Sequence, residues 1–448
     1  MVRFALVIAF LSFSFASALF GQTDDESTAV DSPAAVEKPA ADEPVAIDKA
    51  EVRQLVRQLE DPKREKREEA EEALSKMGTG VLTLLPEVNA RTGGELKTRL
   101  TRIREQLEKN RVEQSATGSR VTLQGTMNLS DALAEIEKQT GNVIEDYRAT
   151  LNQESPDTEV TVDIKDEPFW SAFDQLLDEA SLDIYTFVGE AKKLAIIGAA
   201  EGALDRNGRG TYDGLFRIEP TNIVAERDLR NPEADTLRMN VEVVWEPRVL
   251  PILIRQDLED ISITTDNEEE VSVTSTGTIQ LPVQSGVASL DMRLPLGLPS
   301  RDAKKIASFK GKFTALIPGG DVEFEFDDLT AKNVQQRKGG LTVVLDQIRN
   351  NNGIQMVYVR MRFDKANESL QSHLDWVESN KIKLLDPDGK PADDPNYEKY
   401  LERESEIGYK YIFPLESEDL KGWKLKYTTP AGIAEVPVEY ELKDIELP

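Results

Sequence analysis

The period of the apolar residues changes twice along this 448-residue chain, and each change restricts what the segments on either side can fold into. From Asp48 to about Arg111 apolar residues recur at spacings of three and four, as one buried face of a helix requires. Beyond the glycine-bearing connector Glu201 to Gly210 they alternate with polar residues, the pattern of a half-buried strand. Between the two, from Val121 to Ile197, strand and helix patterns interleave. The reading is a multidomain α+β protein with a helical segment over 48–111, a small α+β (βαββαββ) domain over 120–199 and an all-β sandwich region over 211–448.

In the first segment, Asp48 can cap a helix carrying Val52, Leu55, Val56 and Leu59, which Asp61-Pro62 interrupts. A second helix carries Ala70, Ala73, Leu74 and Met77 and stops at Gly78. A third is expected near Val81 to Ala90 and a fourth after Gly93-Gly94, with Leu96, Leu100, Ile103 and Leu107 inward. Leu55, Leu59, Asp61-Pro62, Arg67, Leu74 and Gly78 fall in an order that resembles HEAT-like helical repeats. That resemblance implies protein contacts rather than chemistry, and stacked repeats need several copies to bury their faces. A spacer or a four-helix bundle explains the same pattern.

In the middle segment, Val121 and Leu123 open a strand, and Ser130 to Gly141 is a helix with a capping serine and a terminating glycine. Asn142 to Tyr147 and Glu159 to Ile164 are strands, and Pro168 opens a second helix with Phe169, Trp170, Phe173, Leu176 and Leu177 on one stripe. Leu182 to Val188 and Lys193 to Ile197 make a closing hairpin. Trp170 and Phe169 lie on that apolar stripe and belong to the core rather than to a ligand platform. Asn128-Leu129-Ser130-Asp131-Ala132-Leu133, Gln139-Thr140-Gly141-Asn142-Val143 and Pro168-Phe169-Trp170-Ser171-Ala172-Phe173 are similar to the short N-terminal domain of secretins and TonB-dependent receptors (STN). The resemblance implies a periplasmic module for protein–protein or signalling contacts. No outer-membrane barrel or secretin pore is read downstream, which leaves the partner open.

The chain begins with Met1-Val2-Arg3, an uncharged apolar run from Phe4 to Phe20, and Ala16-Ser17-Ala18. These are the basic start, apolar core and small-residue cleavage site of a secretory signal over 1–18; the alternative is a retained membrane anchor. Residues 19–47, rich in Ala, Pro, Asp and Glu, read as a disordered linker. No later segment is long and apolar enough to span a bilayer. The expected location is secreted or periplasmic.

Composition excludes several chemistries. There is no cysteine, which removes disulfides, lipid attachment at a lipobox, thiolate nucleophiles and thiolate metal sites. The one histidine, His373, lies in a short helical pattern without a nucleophile elbow nearby, so it reads as an ordinary histidine. With 54 basic and 82 acidic residues the formal charge is −28, which argues against nucleic acid or an anionic lipid surface as partner. Gly208-Arg209-Gly210 lacks the third glycine and the context of a dinucleotide fingerprint, and no Walker loop is present.

The β region contains candidate strands at 237–243, 278–281, 312–317, 321–326, 341–345, 356–363, 408–415, 423–427 and 436–442. Regular short strands with turn signals between them indicate one large sandwich or two smaller ones, a division falling near 364–380. Asp321, Glu323, Glu325, Asp327 and Asp328 invite calcium, but one strand face does not supply six converging oxygens, and a solvated face is the simpler reading. Asp386-Pro387-Asp388-Gly389, with Asp393 and Asp394, reads as a turn between strands. Glu246-Pro247-Arg248 forms a corner that an internal ion pair explains. No catalytic, cofactor-binding or metal site is assigned. The expected function is a non-catalytic protein–protein interaction or scaffold protein of a bacterial cell envelope; the alternatives are a carbohydrate-active or other hydrolase with carboxylates on sandwich loops, and a structural surface-layer component.

Overall fold

Helices occupy the front of the chain because Asp48, Gly78 and the paired glycines at 93–94 punctuate its apolar periodicity. The computed structural model describes residues 48–448 apart from 87, 89–91, 191, 232–234, 285, 364–376, 378–379, 404–405 and 416–418. The leader and linker expected over 1–47, and His373, lie outside the described residues. Helices α1 (Lys49–Gln58), α2 (Arg64–Lys76) and α3 (Gly94–Ala116) enclose Val52, Leu59, Leu74, Leu100, Ile103 and Leu107. The Asp48 carboxylate caps α1 by accepting the Ala50 N–H at 2.7 Å. Arg67 closes the α1–α2 corner, its Nη1 donating to the carbonyls of Asp61 and Pro62 at 2.7 and 3.1 Å.

The third helix expected near Val81 to Ala90 does not form over Val81–Pro86, where a 3-10 turn over Thr79–Thr83 gives way to irregular chain; residues 87, 89 and 90 of the expected span lie outside the described residues. Gly80 and Pro86 leave too short a run between them to repay the cost of nucleating an α-helix. α3 in turn runs on to Ala116, past the expected end near Arg111.

The small α/β layer keeps the expected order of elements. It comprises β1 (Arg120–Asn128), α4 (Leu129–Thr140), β2 (Val143–Asp146), β3 (Glu159–Pro168), α5 (Phe169–Glu179), β4 (Leu182–Tyr185) and β5 (Lys193–Gly198). β1 pairs antiparallel with β3, while β5 lies between a parallel β2 and an antiparallel β4. Ile136, Val160, Ile164, Phe169, Trp170 and Phe173 are wholly or almost wholly buried between these layers. Gly141 ends α4 in the left-handed conformation, at φ 72°. Ser130 does not cap α4. Asp157 does, its carboxylate accepting the Ser130 N–H at 3.0 Å and the Ser130 hydroxyl at 2.8 Å from a loop 27 residues away. At Thr122, where the β1–β3 register slips, the Gln139 amide exchanges two 2.9 Å hydrogen bonds with the backbone and fills the gap in the ladder.

The remaining strands are β6 (Thr211–Asp213), β7 (Phe216–Glu226), β8 (Thr236–Trp245), β9 (Leu253–Asp257), β10 (Ser262–Thr265), β11 (Thr278–Pro282), β12 (Ser289–Leu296) and β13 (Lys305–Phe326). After them come β14 (Val334–Lys338), β15 (Leu341–Asn351), β16 (Ile354–Phe363), β17 (Lys381–Leu385), β18 (Asn396–Arg403), β19 (Glu406–Pro414) and β20 (Lys424–Glu446). They form a front sheet ordered β12-β8-β7-β6, a central sheet β11-β9-β13-β20-β17 with β10 on β13, and a back sheet β14-β15-β16-β19-β18. The protein is β-rich, and the described residues belong to one compact unit.

Two β cores meet on the central sheet. Phe216, Met239, Trp245, Phe309, Phe313 and Tyr440 fill the first, and Phe324, Val343, Val359, Tyr409 and Tyr427 fill the second. Of the stretch 364–380 only Val377 and Asn380 are described, and Met361, Val377 and Ile382 all belong to the second core, so the two cores do not divide there. The cores part instead along the antiparallel ribbon of β13 and β20, which pairs from Lys305 opposite Glu446 to Phe326 opposite Leu425. The strands expected at 312–317 and 321–326 are one strand, as are those at 423–427 and 436–442.

Midway along the ribbon Gly320 lies opposite Ala431 and Pro318 opposite Ile433, and α3 rests on this point. A Cβ on Gly319 or on Gly432 would stand 2.7 Å from Val112 Cγ2, closer than packed carbons approach, so only glycine admits the helix here. Gly319→Val should therefore destabilise the protein by about 1–3 kcal/mol in urea denaturation, and Val112→Ala in the same chain should recover part of the loss. Unchanged stability of Gly319→Val would rule out this seat for α3.

Candidate functional site

Ionisable side chains enter the interior where the three layers join, and these joints are the most structured polar features of the molecule. At the first joint the end of β8 delivers Glu246, which is wholly buried. Its carboxylate accepts the Ser119 N–H and hydroxyl, each at 2.6 Å, the Asn142 amide at 3.0 Å and the Arg248 Nε–H at 2.7 Å. Arg248 extends the contact, donating its N–H to Asn142 Oδ1 at 3.1 Å and Nη2 to the Thr117 carbonyl at 2.5 Å. One carboxylate thus ties the exit of α3, the end of α4 and the front sheet together. Beside it the Leu215 carbonyl accepts both the Trp170 indole N–H at 2.9 Å and the Glu246 N–H at 3.0 Å. Trp170 is core, as its position on the apolar stripe of α5 implied.

At the second joint α5 presents Asp174, also wholly buried, to β6, β7 and the connector. Asp174 accepts from Arg217 Nε at 2.6 Å, Arg206 Nε at 3.0 Å and the Tyr212 hydroxyl at 2.9 Å. Glu219 takes Arg217 and Arg209, and Arg206 also reaches Asp183. Burial works against the charge on Arg217, but Asp174 and Glu219 outweigh it and hold the guanidinium more firmly protonated than usual. Burial, with the Asp174 charge beside it, pushes the Tyr212 hydroxyl well above the ordinary tyrosine range. Nothing in the spacing of the sequence brings Asp174 to Arg217, 43 residues on; the one available signal was a carboxylate set beside Phe173 on a buried helix face.

Two recesses are lined by charged side chains. A groove of about 560 Å³ runs between α2 and α3, lined by Arg64, Arg67, Glu68, Glu71, Glu95, Arg99 and Arg102 among others. Glu71 there pairs with Arg99 and, at 2.9 Å, with Arg102, while Arg67 pairs with Glu95 at 2.8 Å. A smaller cavity of about 280 Å³ lies between the end of α5 and the connector, with Asp178, Asp183, Leu204, Arg206 and Arg209 on its walls. Asp178 is occupied there, accepting the N–H groups of Arg206 and Asn207 at 2.7 and 2.8 Å.

The acids weighed from the sequence do not converge. Glu323 pairs with Lys426 and Glu325 with Lys424, each at 2.8 Å across the ribbon, and Asp327 also reaches Lys424. Asp328 caps the turn at Thr330. Asp386 holds its own turn, accepting the N–H groups of Asp388 and Lys390 at 3.0 and 2.8 Å. Among the described residues no three or more His, Asp or Glu side chains are grouped to hold a metal ion, and no helix is long and apolar enough to cross a membrane.

No protein family and no curated protein matches this chain. Among solved structures, a conserved domain protein from Bacillus anthracis aligns over 52% of this chain and 89% of its own, at 9% identity and a TM-score of 0.17. A likeness of that size carries no argument about fold or function.

The first joint has a measurable energy. Glu246→Ala strands Arg248, Asn142 and Ser119 with unmet polar groups and should cost about 3–5 kcal/mol in chemical denaturation. Trp170→Phe keeps most of the packing and loses one hydrogen bond, at about 0.5–1.5 kcal/mol. A loss below about 1 kcal/mol for Glu246→Ala would mean that the carboxylate does not hold the layers together.

Proposed function

We propose that this is a non-catalytic contact or scaffold protein of a bacterial cell envelope, secreted or periplasmic, in which a HEAT-like helical layer and an STN-like small domain are carried on a β-sandwich body. The observation that carries this reading is the use made of the buried charges. Glu246, Asp174, Arg217 and Glu219 are each met by partners within the chain; Glu246 and the Asp174–Arg217 pair tie one layer to another, and Glu219 holds Arg217 from its own strand. Their chemistry is committed to holding the layers in a fixed arrangement, as a scaffold requires.

The surface left for a partner is the charged groove between α2 and α3, where Arg64 and Arg102 are 80% and 65% exposed. Four arginines alternate there with glutamates on two helices. Such a surface suits a protein segment that also carries both signs of charge, because each ion pair exchanged on docking is nearly isoenergetic and partner choice rests on their pattern.

The experiment is site-specific photo-crosslinking with the whole mature chain in an envelope preparation. A crosslinker at position 102 should trap discrete adducts, and Arg64→Glu should reduce them at least about tenfold, the effect of roughly 1.4 kcal/mol of lost charge pairing. A crosslinker at Lys443, exposed on the ribbon, is the control. Equal adducts from both positions, or turnover of a polysaccharide by the purified chain, would overturn the proposal.

A further inference from the structure

Three carboxylates stand in register across the front sheet. Glu219 on β7 is directly opposite Glu242 on β8, and Glu242 is directly opposite Asp291 on β12. Residues paired in this way have Cβ atoms about 5 Å apart, and like charges so placed repel. The face that carries them meets the small layer, because Val244, two residues along β8 from Glu242, is buried in the small layer's core with Phe169 and Trp170.

The three acids are not equally compensated. Glu219 is held between Arg217 and Arg209. Asp291 is exposed to water. Half-buried Glu242 has neither remedy: among the described residues it forms no ion pair. The charged groups around it are Arg217 and Glu219 from β7, Asp291 and, one pair further on, Arg293 from β12, Asp174 from α5, and Arg206 and Arg209 from the connector; the neutral Tyr212 hydroxyl of β6 completes the titratable groups there.

We propose that this row makes the joint between the small layer and the front sheet proton-linked, closed most firmly when Glu242 carries a proton. A neutral Glu242 leaves Arg217 wholly to Glu219, beside it on β7, and to Asp174, the pair that seats α5 on the sheet. An ionised Glu242 adds an unpaired negative charge between two others and competes for the same guanidinium. Burial raises the Glu242 carboxyl above its ordinary range, Glu219 and Asp291 add to the rise, and Arg217 and Arg206 oppose it. The folded chain therefore holds this proton more tightly than the unfolded chain does. The stabilisation is complete below the ordinary glutamate range and is lost as pH rises through the higher, folded-state value.

Hydrogen exchange of the α5 and β8 amides between pH 4 and pH 8, corrected for intrinsic rates, tests this on the full mature chain. In the wild type the opening equilibrium should grow with pH by up to about tenfold for each pH unit by which the carboxyl is raised, and in Glu242→Gln this rise should be absent. Asp291→Asn, which removes one repelling charge, should move the rise to lower pH. The same pH dependence in wild type and Glu242→Gln would overturn the proposal. Should Glu242→Gln fail to fold, carboxyl NMR of wild type and Asp291→Asn decides: a Glu242 titration at or below the ordinary glutamate range, or one unmoved by Asp291→Asn, rejects it.

Discussion

The antiparallel pairing of β13 with β20 is the constraint on which the other elements depend. Its register runs without a break in direction from Lys305–Glu446 to Phe326–Leu425, and it supplies one wall to each β core. Phe309, Phe313 and Tyr440 face the first core from one half of the ribbon, and Phe324, Phe326 and Tyr427 face the second from the other. A slip of one residue would turn all of these rings outward together, so the pairing is specified twice, once by each core. The same ribbon seats α3 at Gly319 and Gly432, and through α3 it positions the helical layer.

Attachment of the small layer follows a different physical rule. Its contact with the front sheet has an apolar part, with Val244 and Ala288 completing the small layer's core, and a polar part centred on Asp174, Arg217 and Glu246. Burying these charges gains little net stability over an apolar joint of the same volume, because desolvation cancels most of the attraction. What they add is selectivity of arrangement. A carboxylate such as Glu246, with donors from Ser119, Asn142 and Arg248, is satisfied in one relative placement of three segments and is costly in any other.

The local parts of this fold were legible in the sequence, and the long-range parts were not. Alternation at Val160, Val162 and Ile164, the stripe from Phe169 to Leu177 and the stop at Gly141 each express a single element meeting one apolar neighbour, and each is visible from spacing alone. The ribbon was read as four strands because Pro318-Gly319-Gly320 and Pro430-Ala431-Gly432 are turn signals. They are tolerated because β9 pairs with β13 only as far as Leu316 and β17 with β20 only as far as Thr428. Between those limits neither β9 nor β17 pairs with the ribbon, so a proline that lacks an N–H forfeits no bond to either flanking strand there. The pairing of Glu246 with Arg248 was legible as an ion pair at a corner, whereas the cap of α4 by Asp157 and the other partners of Glu246 were hidden for a simpler reason. They lie 27 and up to 127 residues away, and no periodicity encodes a contact at that separation.

Chain order then makes the front of the protein depend on its end. β20 occupies Lys424–Glu446, so neither β core has its full wall, and α3 does not have its seat, until the last strand is paired. Asp213 is likewise held by the backbone of Glu439, 226 residues later. Local helices and hairpins are cheap to close, whereas contacts of this range bear the loop entropy of everything between them. The helical layer, though first in sequence and internally packed, therefore has no complete seat for α3 until β20 is in place. The buried joints are properties of the assembled chain, because their partners come from segments as far apart as Ser119 and Glu246.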